Sequence, residues 1–376
     1  MATIRIPQAV PSPSQDCEKL RKAFQGFGTD EKSIIWILAH RNSTQRNEIR
    51  ETYRRLYNAS LLDDLRSELS GDFRASIFQQ FLFLPPPTLQ SDQRFPALFW
   101  IIQQRAVTLW TYEAAERDAR LANEALSKSR RKNTIRNLQP IVETACATSP
   151  HHLIAVRKAY CSLFDSSLEE DIIASHLSPP IQKILVSLVG SYRYDKQAVD
   201  STLARIEAAK LHEAIEARKL DDHQLMLILS TRNVFQLRQT FKFYIDAYGK
   251  SIHKEIKACG NGLLESVIRV AALCIDSPEI HFAEVKLHRE KCNSNLDSID
   301  APHETFDHQV VRSSIVGLGT DEDSLSRAIV TRAEIDLMNI KEAYLKEYKV
   351  SMEDDVIGDT SGDYKNFLLS LLGSNM

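Results

Sequence analysis

The sequence predicts an all-α protein built from four related repeats, and three observations predict it. No stretch of the chain alternates convincingly with a period of two. Apolar residues instead recur at steps of four behind a leading aromatic residue, in four copies that share one frame. Between the second and third positions of every copy stands turn chemistry: YNAS, FDSS, YGKS and YKVS.

In chain order, the first copy is Tyr53, Tyr57, Leu61 and Leu65, and the second is Tyr160, Phe164, Leu168 and Ile172. The third is Tyr244, Tyr248, Ile252 and Ile256; the fourth is Tyr344, Tyr348, Met352 and Val356. Steps of four place apolar groups on one helical face, so each copy reads as helical and inward-facing, with a short break before its third member. Twelve residues before each leading tyrosine stand Arg41, Thr148, Arg232 and Arg332. Ordinary amphipathic helices would explain the periodicity but not this shared frame. The leading tyrosines are 107, 84 and 100 residues apart, too uneven for a strict solenoid. Two stretches therefore read as insertions. Residues 75–104 are proline-punctuated and apolar; residues 286–309 are polar and read as a long loop. SPPIQ and SYRYDKQ, within 178–197, mark the joint between the second and third copies.

Composition excludes several classes of function. At 376 residues with 43% apolar and 26% charged residues, the chain is an ordinary globular one with a sizeable core. A net charge of −3 gives no general attraction to nucleic acid or to anionic membrane, so any such contact must be local or carried by an ion. No run approaches 18 apolar residues, so neither a signal peptide nor a membrane span is expected. Cys17, Cys146, Cys161, Cys259, Cys274 and Cys292 are scattered without a CxxC pair, which fits free thiols in a reducing cytosol.

The motif with chemical content is GFGTD at 26–30, which returns as GLGTD at 317–321. In both places GxGT is followed by 38 residues and then a carboxylate, Glu68 or Asp359. By fixed spacing the second and third copies have KNTIR around Ile135 and ARKLD around Lys219, without the glycines, and Ser175 and Cys259 at the acid positions. Glycines and acid are thus kept together or lost together. Helix-capping glycines have no reason to vanish with a remote acid, whereas a shared ligand supplies one. Ca²⁺ takes six to eight oxygens, commonly backbone carbonyls, waters and a bidentate carboxylate. Paired glycines let a loop turn its carbonyls to one point. Two Ca²⁺ sites are expected, not four. Each would be incomplete, leaving positions that phosphate oxygens of a lipid headgroup can fill. Phe27 and Leu318, between the glycines, would then lie against that headgroup layer.

These residues resemble the annexins, and the plant-type annexins in particular. The resemblance is carried by GFGTDEKSIIWILAHRN, LLDDLRSELSGDF, AERDARLANEAL, SLEEDI, GLGTDEDSL, VTRAEIDL and GDTSGDYKNFLLSLLG, and it covers nearly the whole chain outside the first dozen residues and the two insertions. It implies four repeats of about five helices each in a slightly curved disc. A tail at 1–13 would precede repeats at 14–111, 112–190, 197–275 and 280–372. It implies one Ca²⁺ site from the carbonyls of Phe24, Gly26 and Gly28 with Glu68, and another from Ile315, Gly317 and Gly319 with Asp359. The implied function is reversible Ca²⁺-dependent binding to anionic phospholipid membranes by a cytoplasmic protein that turns peripheral when Ca²⁺ rises. Self-association on the membrane is a further expectation; a specific nucleic-acid partner and catalysis are not expected. Rival readings are a peroxidase-like or GTP/ATP phosphatase enzyme and an ion-conducting oligomer.

The sequence departs from the family pattern at Gln25 and Val316, where many members carry a basic residue, and at Thr148, which should weaken a buried polar contact in repeat 2. Both insertions are also unusual. Weaker signals remain. SKSRRK at 127–132 offers Lys128, Arg130, Arg131 and Lys132 as a solvated loop or as a Ca²⁺-independent contact with anionic headgroups. His40 matches a histidine proposed to support peroxidase-like activity, though a lone helical His is more often structural. DTSG at 359–362 fits a GTPase DxxG pattern, yet no P-loop accompanies it. Cys146 and Cys274 match a suggested redox pair, against the plainer reading of buried free thiols.

Overall fold

The structure, a computed structural model, describes residues 1–25, 30–68, 105–260, 262–283 and 322–374; both proposed insertions lie outside the described residues. Among the described residues the regular secondary structure is helical, with no strand. Repeat 1 holds α1 (Pro13–Phe24), α2 (Glu31–Ala39), α3 (Ser43–Tyr57), α4 (Leu61–Glu68) and a helical stretch at 105–111. Repeat 2 holds α5 (Ala114–Ser129), α6 (Ile135–Cys146), α7 (Pro150–Phe164), α8 (Leu168–Ile173) and α9 (Pro179–Gly190). Repeat 3 holds α10 (Ser201–Glu216), α11 (His223–Thr231), α12 (Val234–Tyr248), α13 (Ile252–Cys259) and α14 (Leu263–Asp276). α15 (Pro278–Ala283) follows, and then α16 (Glu322–Arg332), α17 (Leu337–Tyr348), α18 (Met352–Asp359) and α19 (Gly362–Leu371) of repeat 4.

Local chemistry sets these boundaries. Ser12 with Gln15, Asn42 with Gln45 and Ser167 with Glu170 form capping boxes at α1, α3 and α8, satisfying donors that a helix start leaves open. The turn chemistry after the second aromatic position proves to be one device used four times. Asn58, Asp165, Gly249 and Lys349 each take a left-handed conformation and end α3, α7, α12 and α17. Two residues later Ser60, Ser167, Ser251 and Ser351 precede the next helix.

The tyrosine that leads each frame is buried, and its hydroxyl donates to an acid eleven residues on. Tyr53 donates to Asp64 and Tyr160 to Asp171, both at 2.6 Å. Tyr244 donates to Glu255 and Tyr344 to Asp355. Burial, followed by the neighbouring carboxylate, pushes all four phenols above their ordinary range, so they remain protonated donors at any physiological pH. Sequence reading found the tyrosines and missed these acids, although they sit in the same frame.

The same hydroxyl also reports register. It meets Arg21 from α1, Asn123 from α5 and His212 from α10, which lie 32, 37 and 32 residues before it. Repeat 2 therefore carries five more residues between its first and third helices than repeats 1 and 3. The fixed-spacing placement of its loop at KNTIR is corrected accordingly: on the α5 side the register partners of Phe24, Gly26 and Gly28 are Leu126, Lys128 and Arg130.

The chain forms two compact units, one holding repeats 1 and 4 and the other repeats 2 and 3 (Ala115–His281). In the first, the Arg46 guanidinium lies 3.7 Å over the buried Trp110 ring and reaches Glu334 at 2.8 Å. Trp110 in turn donates to the Leu38 carbonyl at 2.8 Å. The second is a continuous apolar core in which α6 packs on α14, with Tyr160, Ile184, Leu211, Phe241 and Val267 all buried within it.

Candidate functional site

Each expected metal site has one described half. In repeat 1, α1 ends at the buried Phe24, and the Asp30 amide donates to the Ala23 carbonyl at 3.1 Å, closing the connection that contains the glycines. Asp30 then caps α2, accepting from the Ser33 amide at 3.1 Å and the Ser33 hydroxyl at 2.6 Å, and these bonds hold its carboxyl below the usual range. Glu68 is the last residue of α4 and Asp359 the last of α18, the same position in the same element. Asp359 is half-buried. Gly26, Phe27, Gly28, Ile315, Gly317, Leu318 and Gly319 lie outside the described residues.

Repeat 3 shows what the frame does with these two positions. Ile215 stands 29 residues before Tyr244, as Phe24 stands before Tyr53; Cys259 stands 15 after, as Glu68 does. The Cys259 thiol lies 3.3 Å from the Ile215 carbonyl and 3.4 Å from the Glu255 carbonyl of its own helix, two acceptors for its one hydrogen. The fold thus brings the first loop carbonyl and the acid position, 44 residues apart, within bonding distance. A thiol can donate to that carbonyl directly. A carboxylate cannot, and needs a cation between the two oxygens. Among the described residues no group of three or more His, Cys, Asp or Glu side chains converges.

Repeat 2 closes the equivalent place without either half. The Ser175 hydroxyl turns back to the Ile172 carbonyl at 2.5 Å. Asn133, in the α5–α6 connection, donates to the His176 carbonyl at 3.4 Å. Lys128, Arg130, Arg131 and Lys132 are exposed on this turn.

The frame arginine positions are also resolved. Arg41, fully buried, holds Asp16 through two bonds at 2.7 and 2.9 Å, and Arg232 pairs with Glu207 in the same relation. Arg332 pairs with Asp336 instead, at 2.7 Å. In repeat 2 the corrected register makes Asp118 the partner of Asp16. With Thr148 in place of the arginine, Arg117 at 2.8 Å and His152 at 2.7 Å hold Asp118 instead. The expected weakening is therefore compensated rather than left open. Burial pushes the Asp118 carboxyl up, but Arg117 and His152 outweigh it and leave it lowered.

The remaining candidates sit in structural settings. His40 caps α2, its Nδ1 lies 2.8 Å from the Trp36 carbonyl, and its ring stacks on Trp36. Cys146 and Cys274 are both buried, on α6 and α14, helices that pack together, and burial raises the Cys146 thiol to about 11. Residues 359–362 link α18 to α19, with the Thr360 hydroxyl on the Val356 carbonyl at 2.5 Å. No helix among the described residues is long and apolar enough to cross a membrane.

Comparison with known proteins agrees with this arrangement. A family model described as Annexin matches residues 15–78, 206–270 and 306–371, which fall in repeats 1, 3 and 4. The chain is 48% identical to Annexin D3 of Arabidopsis thaliana over all of both chains, and 40% identical to the annexin-like protein RJ4 of Fragaria ananassa over 99% of each. Among solved structures it is similar to annexin III (27% identity, TM-score 0.76, covering 100% of this chain and 98% of that one). It is also similar to chicken annexin V in complex with Zn²⁺ (28% identity, TM-score 0.75, covering 100% and 99%). The repeated all-helical frame, the relatives matched end to end and the shared fold lead to one conclusion: the chain belongs to the annexin family.

Proposed function

We propose that the protein binds anionic phospholipid membranes reversibly through Ca²⁺ held in repeats 1 and 4. The carbonyls of Phe24, Gly26 and Gly28 with the Glu68 carboxylate hold one ion; those of Ile315, Gly317 and Gly319 with Asp359 hold the other. The observation that carries the reading is the Cys259–Ile215 bond, because it shows in repeat 3 that the frame juxtaposes loop carbonyl and acid position. Family membership supports it, since Ca²⁺-dependent phospholipid binding is the general annexin property. The ion neutralises repulsion between a chain of net charge −3 and an anionic surface, and lipid phosphate completes its shell. Phe27 and Leu318 lie against the headgroups, and the basic turn of repeat 2 adds a second contact. A cytoplasmic protein of this kind becomes peripheral when Ca²⁺ rises, and self-association on the membrane follows from local concentration. We read it as a non-enzyme.

The test is co-sedimentation with phosphatidylserine-containing vesicles, with Ca²⁺ and with chelator, for the wild type and for Glu68→Gln combined with Asp359→Asn. The wild type should pellet with Ca²⁺, and the double variant should require at least tenfold more. Ca²⁺-stimulated pelleting that the substitutions leave unchanged rejects the assigned ligands; pelleting indifferent to Ca²⁺ rejects the mechanism.

A further inference from the structure

We infer that the α5–α6 turn of repeat 2 is a fixed-charge docking surface for anionic phospholipid, one that works without Ca²⁺. The inference rests on the membrane reading above and deepens it: the turn that serves there as a second contact is assigned binding of its own, apart from the Ca²⁺ ligands.

The turn occupies the place of a glycine loop and has been rebuilt rather than merely lost. The tyrosine register shows repeat 2 to be five residues longer there. Phe24, the last residue of α1, has Leu126 as its register partner, yet α5 continues to Ser129. Lys128 lies on that added turn, and Arg130, Arg131 and Lys132 on the connection, all exposed; Arg136 follows, also exposed, on the first turn of α6. Residues 125–142 contain these five cations and no acid. The corresponding turn of repeat 3 is balanced: Arg218 and Lys219 are followed by Asp221 and Asp222, and Asp222 is engaged in capping α11.

Side-chain hydrogen bonds also tie this surface together. The Ser129 hydroxyl binds Asn133 at 2.9 Å, the Asn137 side chain binds the Lys132 carbonyl at 2.7 Å, and Asn133 ties the turn to His176 beside α8. In repeats 1 and 4 an ion is assigned to link loop and acid position; here hydrogen bonds make the corresponding link. α6 starts at Ile135 without a side-chain cap from Thr134, so the positive end of its dipole adds to the same field. A run of exposed cations along the turn suits a laterally extended anionic surface better than a single small anion. The occupant assigned is therefore a phosphatidylserine-type headgroup layer.

Each cation near such a surface is worth about fivefold in partitioning. Full-length protein should bind vesicles of phosphatidylserine and phosphatidylcholine in chelator at low salt, lose that binding as salt rises, and ignore pure phosphatidylcholine. Replacing Lys128, Arg130, Arg131 and Lys132 with Gln should cut the chelator-resistant partition coefficient at least ~30-fold, while added Ca²⁺ still raises pelleting above the chelator value. Arg130→Lys with Arg131→Lys should retain it, which separates charge from folding. Glu68→Gln with Asp359→Asn should lose the Ca²⁺-dependent part alone, so failure of the metal reading is visible separately. Equal chelator-resistant binding by wild type and the four-Gln variant overturns the inference. So does equal binding to pure phosphatidylcholine, or retention of a DNA oligonucleotide where vesicles are not bound.

Discussion

The Cys259 thiol lies 3.3 Å from the Ile215 carbonyl, 44 residues away in the chain, and shares its one hydrogen between that acceptor and the Glu255 carbonyl at 3.4 Å. In repeat 1 the matching positions are Glu68 and Phe24. Repeat 3 therefore joins, through a thiol contact, the two positions to which the proposed function assigns an ion and a carboxylate in repeat 1. Cys259→Asp should turn this attraction into a clash of two acceptors. The buried Ile215 carbonyl keeps the Arg218 amide, so losing the thiol should cost only ~1 kcal/mol, read as a lower urea midpoint in chelator. Millimolar Ca²⁺ should recover part of that loss for Cys259→Asp and none for Cys259→Val, because only the former offers a ligand. Equal, Ca²⁺-insensitive losses in both variants would make the contact ordinary packing.

The tyrosine–acid bonds should not be equally costly to remove. In repeat 1, Asp64 keeps Arg21 at 2.8 Å when the Tyr53 hydroxyl is deleted. In repeat 2, Asp171 keeps the Ser166 hydroxyl at 3.0 Å, while Asn123 loses its acceptor. Tyr160→Phe should thus cost ~2 kcal/mol and Tyr53→Phe ~1 kcal/mol, compared through denaturant midpoints at constant slope. The reverse order would place the stabilisation in ring packing rather than in the acid's remaining partners.

Asp118 makes a pH prediction. Its native carboxyl lies below the ordinary 3.8 because Arg117 and His152 outweigh burial. The stability it contributes is present above the unfolded value and is lost as pH falls through the lower native one. Asp118→Asn should therefore flatten the decline in stability below about pH 4. At neutral pH the same change weakens the charge-assisted bonds to Arg117 and His152 and should cost ~1.5–3 kcal/mol. Parallel acid and neutral urea titrations of the two proteins separate the effects; an unchanged acid limb would exclude Asp118 as its source.

How much of this was legible beforehand depended on whether a residue repeats. Tyr53, Tyr160, Tyr244 and Tyr344 announced four helical copies because identical burial demands recur at fixed spacing. Glu68 and Asp359 stand out as candidate ligands only because their counterparts in repeats 2 and 3 are absent. The five-residue shift in repeat 2 is hidden from fixed spacing, because the tyrosine stays in register with Thr148 but not with Asp118. A hydrogen bond from Asn123 to Tyr160 exposes that shift, and no pattern of residue types does. Asp64, Asp171, Glu255 and Asp355 were passed over because surface acids and buried acids look alike until the helix that carries them is packed.

Lys349 and Gly249 close the same turn in different repeats, with φ of 61° and 76°. An L-residue with a Cβ pays ~1–2 kcal/mol of steric cost there, which glycine avoids. Part of the gain from removing the Cβ returns as the extra freedom of an unfolded glycine. Lys349→Gly should therefore stabilise the protein by ~0.5–1 kcal/mol, although it deletes the bond from the Lys349 ammonium to the Lys346 carbonyl at 2.7 Å, an exposed contact of little worth. Gly249→Lys should lose a similar amount. A Cβ at Gly249 would meet nothing within 4 Å, so the whole effect there belongs to the backbone. Melting temperatures of the two single variants and the exchange of both residues decide the matter. The exchange should leave stability nearly unchanged, since the residues lie in separate repeats and their effects should add. If Lys349→Gly instead destabilises, the αL strain is smaller than the lysine's local contacts, and the four turns are equivalent in shape but not in energy.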